Sequence, residues 1–185
     1  MRNAKMLLLA GMLLWLAGCS PPSLEPLFTQ QDLVFEPRLT GTWADKEDKD
    51  TWIVKRSGEK SYDALCTDDG EPHWFKLHLV QLGAYLFLDL TPKEQLALKN
   101  GFFASHWLPT HTFFRVRFDG DRLQVAALEV DYLKALVTSK KTRVGQMVGK
   151  EVMFTGATRE LQDYVLKHAE IQEAFTEPAE YHRVK

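Results

Sequence analysis

The stretch "HTFFRVRFDGDRLQVAAL", residues 111–128, decides the fold class. Phe114, Val116 and Phe118 alternate with Arg115 and Arg117. After Asp119 and Gly120, Leu123, Val125 and Ala127 fall on every second position again. A period of two sends successive side chains to opposite faces of a strand. Asp-Gly between two such runs is the signal of an antiparallel hairpin.

The same pattern recurs on both sides of this hairpin. In His73–Leu82, Phe75, Leu77 and Leu79 share one face while Lys76 and His78 share the other. In Ser61–Thr67, Tyr62, Ala64 and Cys66 lie together. Further strand-like runs at Leu39–Ala44, Thr51–Arg56, Ala84–Leu90 and Lys150–Thr155, with His111–Phe118 and Arg122–Leu128, bring the expected strands to eight. Turn signals separate them: the acidic stretch from Asp45 to Asp50, the run Ser57 to Lys60, the run Asp68 to Gly70, and Gly83.

Two segments carry helical spacing instead. Glu129–Thr138 places Val130, Leu133 and Val137 on one side. Thr158–Phe175 aligns Leu161, Tyr164, Val165, His168, Ile171 and Phe175, with Thr155 or Thr158 as its expected cap. The pattern predicts a mostly β protein. Its eight-stranded antiparallel sheet curls into a barrel, with a short helix before the last strand and a C-terminal helix. Closure removes the sheet edges that would otherwise pair with other chains.

Composition narrows the function. The chain has 23 Lys and Arg against 25 Asp and Glu, net −2. Residues 1–18 hold Arg2 and Lys5 and no acid, so the chain from Cys19 onward carries about −4. A mildly acidic body argues against nucleic acid as the partner. With only Cys19 and Cys66 present, no disulfide framework and no cysteine zinc pattern is available, and a lone Cys66 thiol in an oxidising compartment should be buried.

The N-terminus reads as an address. Arg2 and Lys5 precede an apolar run, Met6–Ala17, that is short for a membrane span of ~20 residues. Leu16, Ala17, Gly18 and Cys19 follow, and then Pro21 and Pro22. This "LAGC" resembles the lipobox of bacterial lipoproteins. The resemblance implies cleavage before Cys19, a signal peptide over 1–18, and a diacylglyceryl thioether and an N-acyl chain such as palmitate on Cys19. By the familiar enteric sorting rule, Ser20 implies the outer membrane, with the body facing the periplasm. Residues 19–37, with four prolines, then read as a lipidated tether whose Leu24, Leu27, Phe28, Leu33, Val34 and Phe35 could pack onto the body, and 38–185 as the barrel domain.

The first expected strand contains Gly41, Thr42 and Trp43. A Gly-x-Trp at the first strand of an eight-stranded barrel resembles the lipocalin or broader calycin signature. That resemblance implies that Trp43 plugs the closed end, with a late arginine stacked on it, and that a helix follows the last strand. Together with "FLDL" at Phe87–Leu90 and "HTF" at His111–Phe113, the chain also resembles uncharacterised bacterial lipoproteins.

An eight-stranded barrel either fills itself with side chains or holds one small ligand. Trp43, Trp52, Tyr62, Phe75, Leu77, Leu86, Leu88, Phe114 and Val116 are the candidate lining. The twenty residues Thr91–Thr110 exceed the usual loop length and concentrate Phe102, Phe103, His106 and Trp107, which suits a lid over the mouth, a lipid or partner patch, or packing on the barrel's end. His73 and His78 sit on opposite strand faces and cannot share a metal. His106 and His111 lack an evident third ligand. Lys140, Lys141, Arg143 and Lys150 form a basic stretch, a solvated face or a contact for lipid phosphates. No nucleophile elbow, metalloprotease helix or phosphate loop is present. The expected role is therefore non-catalytic and without cofactor or metal. It is either binding of a hydrophobic or amphipathic small molecule or lipid in the barrel, or docking of an envelope protein on a filled one.

Overall fold

The structure is a computed structural model, and it describes residues 20–46, 51–68, 71–93 and 108–184. Cys19, Trp107 and most of the Thr91–Thr110 segment lie outside the described residues.

The strands are β1 (Leu33–Val34), β2 (Gly41–Ala44), β3 (Thr51–Arg56), β4 (Tyr62–Asp68), β5 (Glu71–Leu82), β6 (Tyr85–Pro92), β7 (Thr112–Asp119), β8 (Arg122–Ala127), β9 (Gly145–Val148), β10 (Glu151–Phe154) and β11 (Ala179–Arg183). The helices are α1 (Val130–Thr138) and α2 (Thr158–His168). Eight strands close into an antiparallel barrel in the order β2-β3-β4-β5-β6-β7-β8-β11, with β11 returning to β2. The hairpin at 111–128 forms as the alternation predicts: Phe114 faces Ala127, Val116 faces Val125, and Gly120 turns the chain at φ 58°.

The count of eight holds, but the eighth member differs. Lys150–Thr155 is not a barrel strand. Its residues form β10, which pairs with β9 across Gly149 in a separate two-stranded hairpin. The barrel is closed by β11, Tyr181 facing Leu123 and Arg183 facing Trp43. The physical reason is that β11 places only Ala179, Tyr181 and Arg183 in the inward row. Three such residues leave almost no alternation to read. β10, by contrast, turns Val152 and Phe154 into an apolar cluster outside the barrel.

The two faces of the barrel wall feed two cores. Inside, Leu39, Trp43, Val54, Tyr62, Leu77, Leu79, Leu88, Phe114, Val116 and Leu123 pack together. Outside, Val80, Leu82, Phe87, Phe113, Ala126 and Leu128 pack under α1, α2 and the β9–β10 hairpin. Runs such as Leu86-Phe87-Leu88 are apolar on both faces because both faces are covered. Helix α2 ends at His168 rather than Phe175. A 3-10 turn, Gln172–Ala174, then carries Phe175 back to bridge Leu128. Neither Thr155 nor Thr158 caps it. Glu160 reaches back to accept the Ala157 N–H at 2.9 Å.

From Ser20 onward the stretch expected as a tether lies against the barrel. Ser23 and Leu27 are fully buried, Leu33 nearly so, and Leu24 stays exposed. Leu33 and Val34 pair with Val80 and Leu79, beside the point where β4 begins. Gln162 of α2 covers this strap and donates to Leu27 O at 3.0 Å. The strap then turns through Pro37–Leu39 and seals one end of the barrel.

That end is the Gly-x-Trp end. Trp43 is buried and its Nε1 donates to Leu39 O at 2.9 Å. The Arg183 guanidinium lies 4.5 Å from the indole centroid, and its Nη1 donates to Thr40 O at 2.7 Å. The arginine stacked on this tryptophan is Arg183, late in the chain. Gly41 sits at φ 134°, a backbone conformation that favours glycine, and a Cβ there would come within 2.3 Å of Arg183 Nη1 and push that guanidinium aside. Arg56 over Phe35 at 4.3 Å and Arg38 over Phe118 at 4.9 Å complete a ring of arginine–aromatic stacks around the plug.

Candidate functional site

The opposite end is where strands leave for the longer loops. The inward row there is fixed by register: Trp43 faces Trp52, Trp52 faces Cys66, Ala64 faces Phe75, and Leu77 faces Leu90. Trp52 and Phe75 touch, with ring centroids 5.7 Å apart and planes tilted by 38°.

Burial divides the candidate lining. Trp43, Tyr62 and Leu77 are at most 2% exposed and Phe114 is 8% exposed, so they form a closed floor. Tyr62 is held there by its hydroxyl, which accepts the Glu36 N–H at 2.7 Å, and by Phe35 stacked at 5.2 Å. Burial pushes the Tyr62 phenol up, so it stays protonated. Leu88 and Val116 belong to the same floor, and Leu86 is partly exposed. Trp52 and Phe75 belong to the inner cluster but keep solvent exposure. Cys66, facing Trp52, is half-buried rather than sealed, because it lies near the open end of β4.

The residues that flank the aromatic segment are both clamped. On the departing side, Lys93 N donates to Trp74 O at 2.8 Å. Its ammonium pairs with Asp63 and lies 5.8 Å from the Trp74 ring. Burial raises the Asp63 carboxyl, but hydrogen bonds from Lys93 and Ser57 and the charges of Lys93 and Lys76 outweigh it and hold the group below the usual range. On the returning side, His111 Nδ1 lies 2.6 Å from Asp89 Oδ1, and His111 exchanges backbone hydrogen bonds with Ser23 at 2.8 and 2.9 Å. Asp89 is fully buried on the outer barrel face and also accepts the Leu27 N–H at 2.8 Å. Thr91 Oγ1 is 3.1 Å from the same His111 nitrogen. Among the described residues both polar contacts of the ring use Nδ1, so the cluster clamps strap to barrel, and the two-nitrogen relay of a triad is not formed among them. The sequence signal for it is the one charge, Asp89, inside an otherwise apolar strand.

The other candidates separate. His73 falls in the inward row opposite Cys66, while His78 is outward, opposite Asp89. His78 stacks on Phe28 at 4.4 Å, its Nδ1 is buried without a hydrogen-bond partner among the described residues, and burial lowers its pKa. His106 is outside the described residues. Among those described, no three His, Cys, Asp or Glu side chains could hold a metal ion. A shallow depression is lined by Lys46, Arg122, Glu180, Tyr181 and His182, and the one carboxylate there is shared by both cations, Glu180 lying 3.2 Å from Lys46 and 3.9 Å from Arg122. Lys140, Lys141, Arg143 and Lys150 are exposed. No protein-family model, curated protein or solved structure matches the chain.

Proposed function

We propose that this chain is a lipid-anchored protein of the bacterial envelope whose barrel mouth takes up one hydrophobic or amphipathic small molecule, or a lipid. The observation that carries this reading is the Trp52–Phe75 pair. Two large aromatic side chains of the inner cluster remain partly exposed at the end opposite the plug, above inner residues that are almost sealed. Aromatic surface left partly exposed at a barrel's end is favourable ground for an apolar ligand. The sealed floor sets a limit: the ligand sits near the mouth rather than deep in the barrel.

In this reading the signal over 1–18 is removed and Cys19 carries the acyl chains. Two or three such chains hold a protein firmly where one would not. Ser20 directs it to the outer membrane, and the body faces the periplasm. The role is non-catalytic and needs no metal or cofactor. Among the described residues no helix is long and apolar enough to cross a membrane.

A second reading is a docking module for an envelope protein. It is favoured by the filled floor and by Leu108, 63% exposed beside the segment that returns to β7.

The test is titration of the lipidated protein with an environment-sensitive naphthylamine dye, followed by displacement with fatty acids and phospholipids. Saturable dye uptake that falls at least tenfold in Trp52→Glu supports the mouth as the site. Uptake equal in wild type and variant removes it.

A further inference from the structure

We propose that the β9–β10 hairpin is a second membrane contact, resting on an anionic phospholipid surface beside the acyl anchor. The inference depends on the lipoprotein reading above and adds how the body lies on the bilayer.

The first observation is the tip itself. Val148 is 55% and Met147 38% exposed, one on each face of the hairpin, Val148 opposite Glu151 and Met147 opposite the buried Val152, at a tight turn where Gly149 takes φ 64°. The base of the same hairpin is anchored, since Val152 and Phe154 are buried in the outer cluster. The tip is therefore held out by a fixed support.

The second observation is charge. Between residues 130 and 155 stand Lys134, Lys140, Lys141, Arg143 and Lys150, against Asp131 and Glu151 only, in a chain whose net charge is negative. Lys134 donates from its ammonium to Lys150 O at 3.3 Å, which brings α1's cation to the turn. Lys140, at φ 57°, carries the chain out of α1, and Lys141 and Arg143 follow it on the exposed connection to β9. Apolar side chains framed by cations fit an anionic lipid interface, where headgroup phosphates attract the cations and the acyl boundary accepts the tip. Glu151, paired with Val148, opposes this and is outnumbered.

The third observation is direction. Pro22–Leu24 joins the hairpin through Phe154 N to Pro22 O at 2.8 Å and Leu24 N to Phe154 O at 3.1 Å, and Ser23 and Phe154 bridge in parallel. Stepping back from Ser23 to Ser20 therefore goes the same way as stepping back from Phe154 to Glu151, toward the tip. Ser20 is fixed in turn by its hydroxyl on Phe113 O at 3.2 Å, and Pro21 is buried. From Ser20 onward the chain is held against the body, and the lipidated residue in the proposed reading precedes Ser20 by one peptide bond, ~3.8 Å between Cα atoms. The described chain therefore heads for the anchor on the side of the apolar tip, and two contacts on that side fix a tilt on the bilayer that an anchor alone leaves free.

The test uses the lipidated protein in phosphatidylcholine vesicles with and without phosphatidylglycerol. Vesicle flotation reports the anchor, and hydrogen exchange reports the amides of Met147–Glu151. The expected result is flotation with both lipids and exchange at the tip slowed about tenfold with phosphatidylglycerol only. The slowing should be lost in Lys140→Glu/Lys141→Glu and in Val148→Asp, both at exposed positions, while flotation persists. Flotation with tip exchange equal in the two vesicles overturns the proposal and leaves the anchor standing. So does slowing that survives both variants, or that requires added envelope protein instead of lipid. Absence of flotation overturns the anchor, and this proposal with it.

Discussion

Arg183 of the closing strand lies over the indole of Trp43 in the first barrel strand, 4.5 Å from its centroid, and bonds the backbone of Thr40 and Arg38. One side chain thus joins the last strand to the first and covers the plug. Replacing it with alanine removes a cation–π stack and two charge-assisted hydrogen bonds, so Arg183→Ala should lose about 2–3 kcal/mol. Arg183→Lys keeps the charge without the planar fork and should recover less than half. Urea unfolding reads both. Equal stability of wild type and Arg183→Ala would separate the plug from barrel closure.

Gly41 makes room for that guanidinium. Gly41→Ala combines a left-handed φ with a Cβ placed in the path of Arg183, and should cost at least about 2 kcal/mol. In the Arg183→Ala background the steric part vanishes. The double mutant should therefore be less destabilised than the sum of the singles, by about 1 kcal/mol.

Asp89 ties the strap to the barrel. Asp89→Ala leaves the buried Leu27 N–H without its acceptor and His111 without its partner, a loss of about 2–4 kcal/mol. Asp89→Asn still presents a carbonyl oxygen and should cost about 1 kcal/mol. Because the strap crosses the outer core, early proteolysis between Thr29 and Asp32 should accompany the alanine change and not the asparagine one.

His78 should make the fold acid-sensitive. Burial lowers its pKa, Asp89 opposes that, and Lys76 and His111 add to it. A base whose folded pKa lies below the unfolded value of ~6.5 binds more protons when unfolded, so stability falls as pH drops below that value. His78→Phe keeps the stack on Phe28 and removes the unpartnered nitrogen. The variant should be more stable than wild type at pH 5 by a larger margin than at pH 7.5. A margin independent of pH would assign the acid loss to other groups.

Much of this architecture is legible in the alternation of the longer strands, because one inward face writes a period of two. The 111–128 hairpin and the Phe75–Leu79 run are read correctly for that reason. The closing strand escapes because its inward row is Ala179, Tyr181 and Arg183, a pattern indistinguishable from a polar tail. Val152 and Phe154 carry the same alternation as a barrel strand, and only the tertiary neighbours decide which core receives them. At the site, Trp52 and Phe75 are found by parity, but parity cannot say that Trp43 and Tyr62 end up sealed while those two stay open. The Asp89–His111 clamp joins residues 22 apart in sequence, and no local period marks it.

The central claim is a lipid-modified barrel carrying one apolar guest at its mouth. Native mass spectrometry of the protein, released from its own membrane in mild detergent, weighs both parts at once. The account predicts a mass that begins at an acylated Cys19 plus one noncovalent lipid or small molecule, with the guest lost and the acyl mass kept in Trp52→Glu. An acylated protein that emerges bare, wild type and variant alike, would contradict it.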